Sequence, residues 1–280
     1  NPTRICAECP CAGSAGSMRE NARMRVVTLN VNSVTARIDR VCGWLEQHQP
    51  DVVALQELKC TAEAFPTERF DALGFESAVL ADGRWNGVAL LSRVGLADVV
   101  RNLEAQPHFE AAIEPRAIGA TCGGVRIWSV YVPNGRERGH LHFDYKLKWL
   151  AALKQTAANE LTAELPFAII GDFNVAPTDD DVWDIADFAD ATHVSPEERA
   201  AVAALGELGL AEVLPRSLKG KPFTFWDYRA LMFQKGMGMR IDLIMANSAF
   251  RDRVTDAWID RDERKLKGGS DHAPVIVDLK

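Results

Sequence analysis

Six apolar segments of this chain stop abruptly at polar residues, and that pattern constrains the fold more than any other. TLNVN runs into Asn30, ALQE into Glu57, YVPNG into Tyr131 and Asn134, and IIGDFN into Asp172 and Asn174. RIDLIM carries Asp242, and SDHAPV sets Asp271 and His272 before its apolar run. Strand ends on one side of a sheet or sandwich gather into a cleft, where a rigid scaffold places loop residues.

The segments between them say what the scaffold is. Met24–Leu29, Asp51–Leu55, Gly87–Leu91, Val125–Val132 and Phe167–Ile170 read as strands by β-branched and apolar content. So do Phe223–Trp226, Ile241–Met245, Val254–Ile259 and Val275–Leu279. Thr35–His48 repeats apolar residues at Ile38, Val41, Trp44 and Leu45, which is helical spacing, and Gln49-Pro50 ends it. His142–Glu164 reads as a long amphipathic helix, with Pro166 beyond its end; 177–215 is less regular, with two or three short helices. Many strands with few helices, and no strict alternation, predict packed sheets with helices outside.

The 280 residues suffice for a sizeable core, and 47% hydrophobic with 25% charged is ordinary for a globular chain. A net charge of -7 and a pI near 5.5 argue against gripping nucleic acid over a broad basic surface. They leave room for a local basic rim around an acidic site. No apolar run is long enough to span a bilayer, and the first segment lacks the apolar stretch of a signal peptide, so the cytoplasm is the expected compartment. Cys6, Cys9 and Cys11 have no fourth ligand at zinc-site spacing, and residues 1–23 are expected to form a disordered extension.

Gathered in one cleft, Glu57, Asp172, Asp242 and Asp271 would repel. Two carboxylates ~4 Å apart cost roughly 4 kcal/mol at an effective dielectric of about 20. Such a cluster raises its own pKa values or recruits a cation. Oxygen donors with one histidine suit Mg²⁺, or Mn²⁺ as a substitute, better than zinc. With neutral Asn and Tyr donors nearby, this is equipment for attacking a phosphate ester. Taken singly, each residue has a plainer explanation: a turn, a cap, or for Asp242 an ion pair with Arg240. Ser270-Asp271-His272 is no hydrolytic triad, because adjacent residues of an extended chain point to opposite sides. His272 needs a partner from elsewhere, and Asp242 is the best candidate.

LNVNS, LQELKC, WNGVALLSR, YVPNG, GDFNVAPTDDD, FTFWDYR, MRIDLIM and SDHAPV occur in this order. Together they resemble the exonuclease III family of apurinic/apyrimidinic endonucleases, within the endonuclease/exonuclease/phosphatase superfamily. The resemblance covers about Met24 to Lys280 and implies one catalytic domain, 24–280. It implies a DNase I-like four-layered α/β sandwich, two mixed sheets face to face with helices outside. It implies Mg²⁺-dependent incision of duplex DNA 5′ to abasic sites, with 3′→5′ exonuclease and 3′-phosphatase or phosphodiesterase activity on blocked ends. A monomer with no membrane partner is expected, nucleoid-associated in a bacterial cell.

By the same resemblance Glu57 is the main metal ligand, with Asn30 and Asp271 close to it. Asp172 orients or deprotonates the attacking water, and Asn174 holds that water or the phosphate. Asp172 and Asn174 thus border the metal as well. Tyr131 and Asn134 bond phosphate oxygens. His272 contacts the scissile phosphate, with Asp242 fixing its tautomer and favouring its charged form. Phe225, Trp226, Met239 and Ile241 correspond to an apolar pocket for a flipped, base-less sugar; core packing is the competing explanation for Trp226. Met239 stands where some members carry a bulky aromatic. Arg84, Trp85 and Asn86 would lie on a DNA-facing loop, and Arg136 would make a phosphate or groove contact.

Two rivals remain at this level. Another phosphoesterase of the superfamily, acting on inositol phosphates or sphingomyelin, would share the catalytic core but not WNGVALLSR and FTFWDYR. A catalytically dead DNA-binding scaffold would have lost part of the acidic set, which is present in full.

Overall fold

The computed structural model describes residues 23–83 and 85–280. The expected N-terminal extension, apart from Arg23, and Arg84 lie outside the described residues. The strands are β1 (Met24–Asn30), β2 (Val52–Gln56), β3 (Glu76–Leu80), β4 (Val88–Ser92), β5 (Ala97–Arg101), β6 (Ala117–Cys122) and β7 (Val125–Tyr131). They continue with β8 (Phe167–Asp172), β9 (Ala211–Glu212), β10 (Arg216–Ser217), β11 (Asp242–Ala246), β12 (Val254–Ile259) and β13 (Val275–Leu279). The helices are α1 (Val34–His48), α2 (Thr67–Asp71), α3 (Leu141–Glu160), α4 (Pro196–Ala203), α5 (Met232–Lys235), α6 (Ser248–Arg251) and α7 (Arg261–Lys265). None of the helices described is long and apolar enough to cross a membrane.

The strands form two mixed sheets, ordered β10-β12-β13-β1-β2-β4-β3 and β5-β6-β7-β8-β11-β9. Each sheet has a parallel pair at its centre, β1 with β2 and β7 with β8, flanked by antiparallel neighbours, and β10 makes a second parallel pair with β12 at the edge of the larger sheet. The runs β12-β13-β1-β2-β4-β3 and β9-β11-β8-β7-β6-β5 carry the same succession of directions.

Alternation along the strands sends successive side chains to opposite faces. Val26, Val52, Ala54 and Leu90 meet Ile127, Ala168, Ile170 and Ile244 between the sheets. Val27, Leu29, Val53 and Leu55 face outward against Val41, Trp44 and Leu45 of α1. Trp128, Val130 and Ile169 do the same against Tyr145, Trp149 and Leu153 of α3. The result is a four-layered α/β sandwich, helix on sheet on sheet on helix. Each large apolar side chain so buried contributes about 1.5–3 kcal/mol.

Gly171 of β8 is level with Val130 of β7 and leaves no room for a side chain. Its φ is 149°, and a Cβ there would stand 2.0 Å from the Val130 carbonyl oxygen.

Five strands, β3, β5, β6 and the two-residue β9 and β10, carried no readable sequence pattern. β5 is an exposed edge with a register irregularity, and β6 (AIGATC) is built of small residues. Phe223–Trp226 is a correction: it is extended but forms only isolated bridges, Phe225 to Met239 and Phe225 to His272. It runs across the strand ends rather than inside a sheet. Trp226 N–H donates to the Asp271 carbonyl and Ala273 N–H to that of Thr224.

Candidate active site

Pairing register brings the polar strand ends together. Asn30 at the end of β1 is level with Gln56, just before Glu57. Tyr131 at the end of β7 is level with Asp172, and Asp172 with Asp242 at the start of β11. Residues 271–272 lead into β13 at the same edge. The loops that carry the site are strained: Asn32, Ser33, Glu57, Lys59, Arg136, Asn174 and His193 all have left-handed φ. Non-glycine residues hold such angles only where surrounding contacts enforce them.

Asn30 joins the sheets. Its fully buried amide donates to Glu57 Oε2 at 2.8 Å and to Asp172 Oδ2 at 2.9 Å, while its Oδ1 accepts from Asn32 N–H at 3.0 Å. The other Glu57 oxygen lies 2.8 Å from Lys59 Nζ. Lys59 also donates to Asn32 Oδ1 at 2.6 Å, and Asn32 donates to Asp271 Oδ1 at 2.9 Å. Asn32 and Lys59 were not singled out in the sequence, although both stand inside the LNVNS and LQELKC motifs.

His272 lies against two carboxylates. Its Nδ1 is 2.8 Å from Asp242 Oδ2 and its Nε2 3.7 Å from Asp172 Oδ2, with all three residues buried. Burial alone would lower the imidazole pKa, but the charges of Asp242 and Asp172 outweigh it and raise the pKa. Asp172 is raised by burial and by Asp242, against the pull of His272. Arg240 does not pair with Asp242. It bonds Asp181 at 2.6 Å and also Glu212.

Half-buried Tyr131 packs against the Arg116 guanidinium, 4.9 Å from its ring centre, and Arg116 donates to its carbonyl at 3.2 Å. Burial, then the charge of Glu57, raises the Tyr131 phenol well above its ordinary value.

Asn174 is grouped with Asn134 rather than with Glu57. Its N–H donates to Asp172 Oδ1 at 2.9 Å and its amide to the Val132 carbonyl at 2.9 Å. Its Oδ1 accepts from Asn134 Nδ2 at 3.3 Å and lies 3.2 Å from His193 Nε2. His193 had no motif to announce it.

The periphery is mixed. Trp85 is 78% exposed with Lys59 Nζ 5.4 Å from its ring centre, whereas Asn86 is buried and its backbone carbonyl accepts from Lys59 N–H. Arg136 is exposed, its N–H donating to Asn134 Oδ1. Trp226, Met239 and Ile241 are buried, Trp226 against Phe233 and the latter two with Val182 and Phe188. Phe225 is half-buried, its ring 4.9 Å from that of His272, and it is the pocket residue nearest the chemistry.

Among the described residues no three His, Cys, Asp or Glu side chains converge to cage a metal. The donors nevertheless fit a hard cation: the carboxylate of half-buried Glu57, steadied by the Asn30 amide N–H, and that of Asp271, steadied by the Asn32 amide N–H. An ion held by one or two carboxylates that keeps its remaining water is the habit of Mg²⁺.

The model of the Endonuclease/Exonuclease/phosphatase family matches residues 27–272. The chain is 31% identical to exodeoxyribonuclease III of Haemophilus influenzae, over 92% of this chain and 100% of the relative. Among solved structures it is similar to a 3′-5′ exonuclease from Neisseria meningitidis, at 36% identity and TM-score 0.87, over 92% and 100% of the two chains. It is also similar to an AP endonuclease from Archaeoglobus fulgidus, at 29% identity and TM-score 0.85, over 92% and 99%. Polar strand ends gathered on a two-sheet sandwich, matched over most of the chain, place it in a family: the protein belongs to the endonuclease/exonuclease/phosphatase family and is a hydrolytic nuclease of the exonuclease III type.

Proposed function

We propose that this nuclease is a Mg²⁺-dependent DNA-repair phosphodiesterase. It hydrolyses the phosphodiester 5′ to abasic sites in duplex DNA and cleans 3′ ends. The observation that carries the reading is the buried Asp242–His272–Asp172 array beside the Asn134–Asn174 amides and Glu57. Phosphodiester hydrolysis needs a positioned water, a proton acceptor and compensation for charge on the phosphoryl oxygens.

Asp172 is the acceptor: buried, raised in pKa and held at both oxygens by Asn30 and the Asn174 N–H. His272, kept cationic by Asp242, faces the phosphate and offsets the charge that develops there. Asn134, Asn174 and Tyr131 donate to its other oxygens. Mg²⁺ bound at Glu57, with Asn30, Asp271 and water completing its surroundings, would supply Lewis-acid polarisation of the phosphate. Trp85 and Arg136 are exposed, and in this reading they contact duplex DNA.

A second reading, chiefly a 3′→5′ exonuclease and 3′-phosphatase, has specific support. The Neisseria relatives at 36% and 35% identity are described as a 3′-5′ exonuclease and as a 3′ phosphatase bound to product DNA hairpin. Three of the four residues assigned to the sugar pocket are also buried by their neighbours.

The test measures hydrolysis of duplexes bearing an abasic analogue, a 3′-phosphate or an undamaged recessed 3′ end, with Mg²⁺ and with chelator. Incision at the abasic site supports the first reading. Turnover confined to 3′ ends selects the second, and no hydrolysis under any divalent ion sinks both.

A further inference from the structure

The pair Lys146–Glu198 is more deeply buried than any other ion pair among the described residues, and these roles do not use it. Lys146 of α3 and Glu198 of α4 are both fully buried and in direct contact. An ammonium has three protons to give. Lys146 Nζ lies 2.7 Å from the Asn174 carbonyl oxygen, 3.2 Å from that of Asn134 and 3.4 Å from Thr192 Oγ, besides Glu198 Oε1. Glu198 in turn gathers the third loop. Its Oε1 accepts from His193 N–H at 3.0 Å and lies 2.7 Å from Thr192 Oγ, and its Oε2 accepts from the Ser195 hydroxyl at 2.6 Å. Thr192 Oγ also lies 3.0 Å from the Asn134 carbonyl.

These contacts reach the backbones of the three residues whose side chains meet in the cleft. Asn134 Nδ2, Asn174 Oδ1 and His193 Nε2 lie within 3.2–3.3 Å of one another. Asn174 and His193 are held there at left-handed φ, which contacts must enforce.

We propose that the Lys146–Glu198 pair is the positioning element of the phosphate-facing amides, clamping three loops so that Asn134, Asn174 and His193 present one fixed polar surface. The proposal rests on the nuclease reading above for its consequence in catalysis, though not for the clamping itself. A stability role alone would leave the turnover of folded variants unchanged. A positioning role lowers kcat while substrate still binds, since misplacement by about 1 Å can cost ~10²-fold in rate.

The experiment compares wild type with Lys146→Met, Lys146→Arg and Thr192→Val, each checked for folding by circular dichroism. Steady-state kinetics use the DNA substrate that wild type hydrolyses best. Hydrogen exchange without DNA reports residues 132–136 and 172–176. Lys146→Met is expected to lose roughly 10²-fold in kcat with KM changed less than about threefold, and Lys146→Arg to recover most of the loss. Exchange should quicken in both windows of Lys146→Met and not in β1 or β13. Should Lys146→Met fail to fold, Thr192→Val decides: a fall in kcat with quickened exchange at 132–136 supports the clamp. Folded variants with wild-type kcat and wild-type exchange overturn it. If wild type hydrolyses no DNA, the nuclease reading fails, and the exchange measurements still judge the clamp.

Discussion

His272 Nδ1 lies 2.8 Å from Asp242 Oδ2, and the bond spans the sandwich. Asp242 opens β11 in one sheet, and His272 leads into β13 in the other. The Asp242 backbone N–H is itself held by Thr224 Oγ at 3.1 Å, on the extended segment that crosses the strand ends.

Removing that carboxylate charge tests the proposed role of the imidazolium. Asp242→Asn keeps the shape but not the charge that outweighs burial of His272. Single-turnover hydrolysis should slow by about 10²–10⁴-fold, between the loss of one group stabilising developing charge and the neutralisation of a buried aspartate behind a catalytic histidine. DNA affinity should change far less. An unchanged rate would remove His272 as a charged group.

Asp172→Asn should cut turnover by two or more orders of magnitude, about the scale of a general base, and leave DNA binding largely intact. Near-normal rates would show that another group takes the proton.

Chelation should abolish hydrolysis and restored Mg²⁺ should recover it. Glu57→Ala should raise the Mg²⁺ concentration for half-maximal rate by about tenfold or more, as loss of a ligand or its support commonly does. A Mg²⁺ titration of each protein reads this directly, and a coincident midpoint would move the ion away from Glu57.

Stability should weaken with acid through His142. Its Nδ1 accepts from Gly135 N–H at 3.1 Å, and burial, aided by the charge of Arg116, lowers its pKa from 6.5 to about 4. Above pH 6.5 the ring is neutral whether folded or not. Between these values the unfolded chain takes up a proton that the folded ring refuses, so stability falls as pH falls, and below the folded value this group adds no further loss. The contribution should reach about 2 kcal/mol by pH 5. Urea midpoints at pH 7 and pH 5 should differ more for wild type than for His142→Gln.

Gly171→Ala should destabilise by roughly 2–4 kcal/mol or more, because overpacking against backbone has no flexible side chain to yield. The added Cβ would stand 2.0 Å from the Val130 carbonyl oxygen. A melting temperature like that of wild type would mean that β7 and β8 can separate locally.

Much of this was legible before any coordinates, because β-branched runs and their polar terminators lie within single segments. TLNVN, IIGDFN and SDHAPV each carry both the strand and the residue that it delivers. What could not be read depends on partners distant along the chain. Lys146 sits in a helix whose charges look solvated until the loops at 134, 174 and 192 close over it. Arg240 likewise neighbours Asp242 in sequence yet turns to Asp181. β5 gave no signal because an edge strand exposed over most of its length has no apolar alternation to display.

The matched succession of strand directions has a consequence of its own. A scaffold with an approximate dyad offers comparable strand ends twice: Asn30 and Asp172 close β1 and β8, while His272 leads into β13 and Asp242 opens β11. Under the proposed roles Asn30 borders the cation and His272 faces the phosphate from one sheet, while Asp172 takes the proton and Asp242 holds His272 from the other. The framework is nearly symmetric, but the side chains are not. The two halves therefore cannot exchange roles: under the proposed assignments the polarity of the cleft is set by side chains and not by the sandwich.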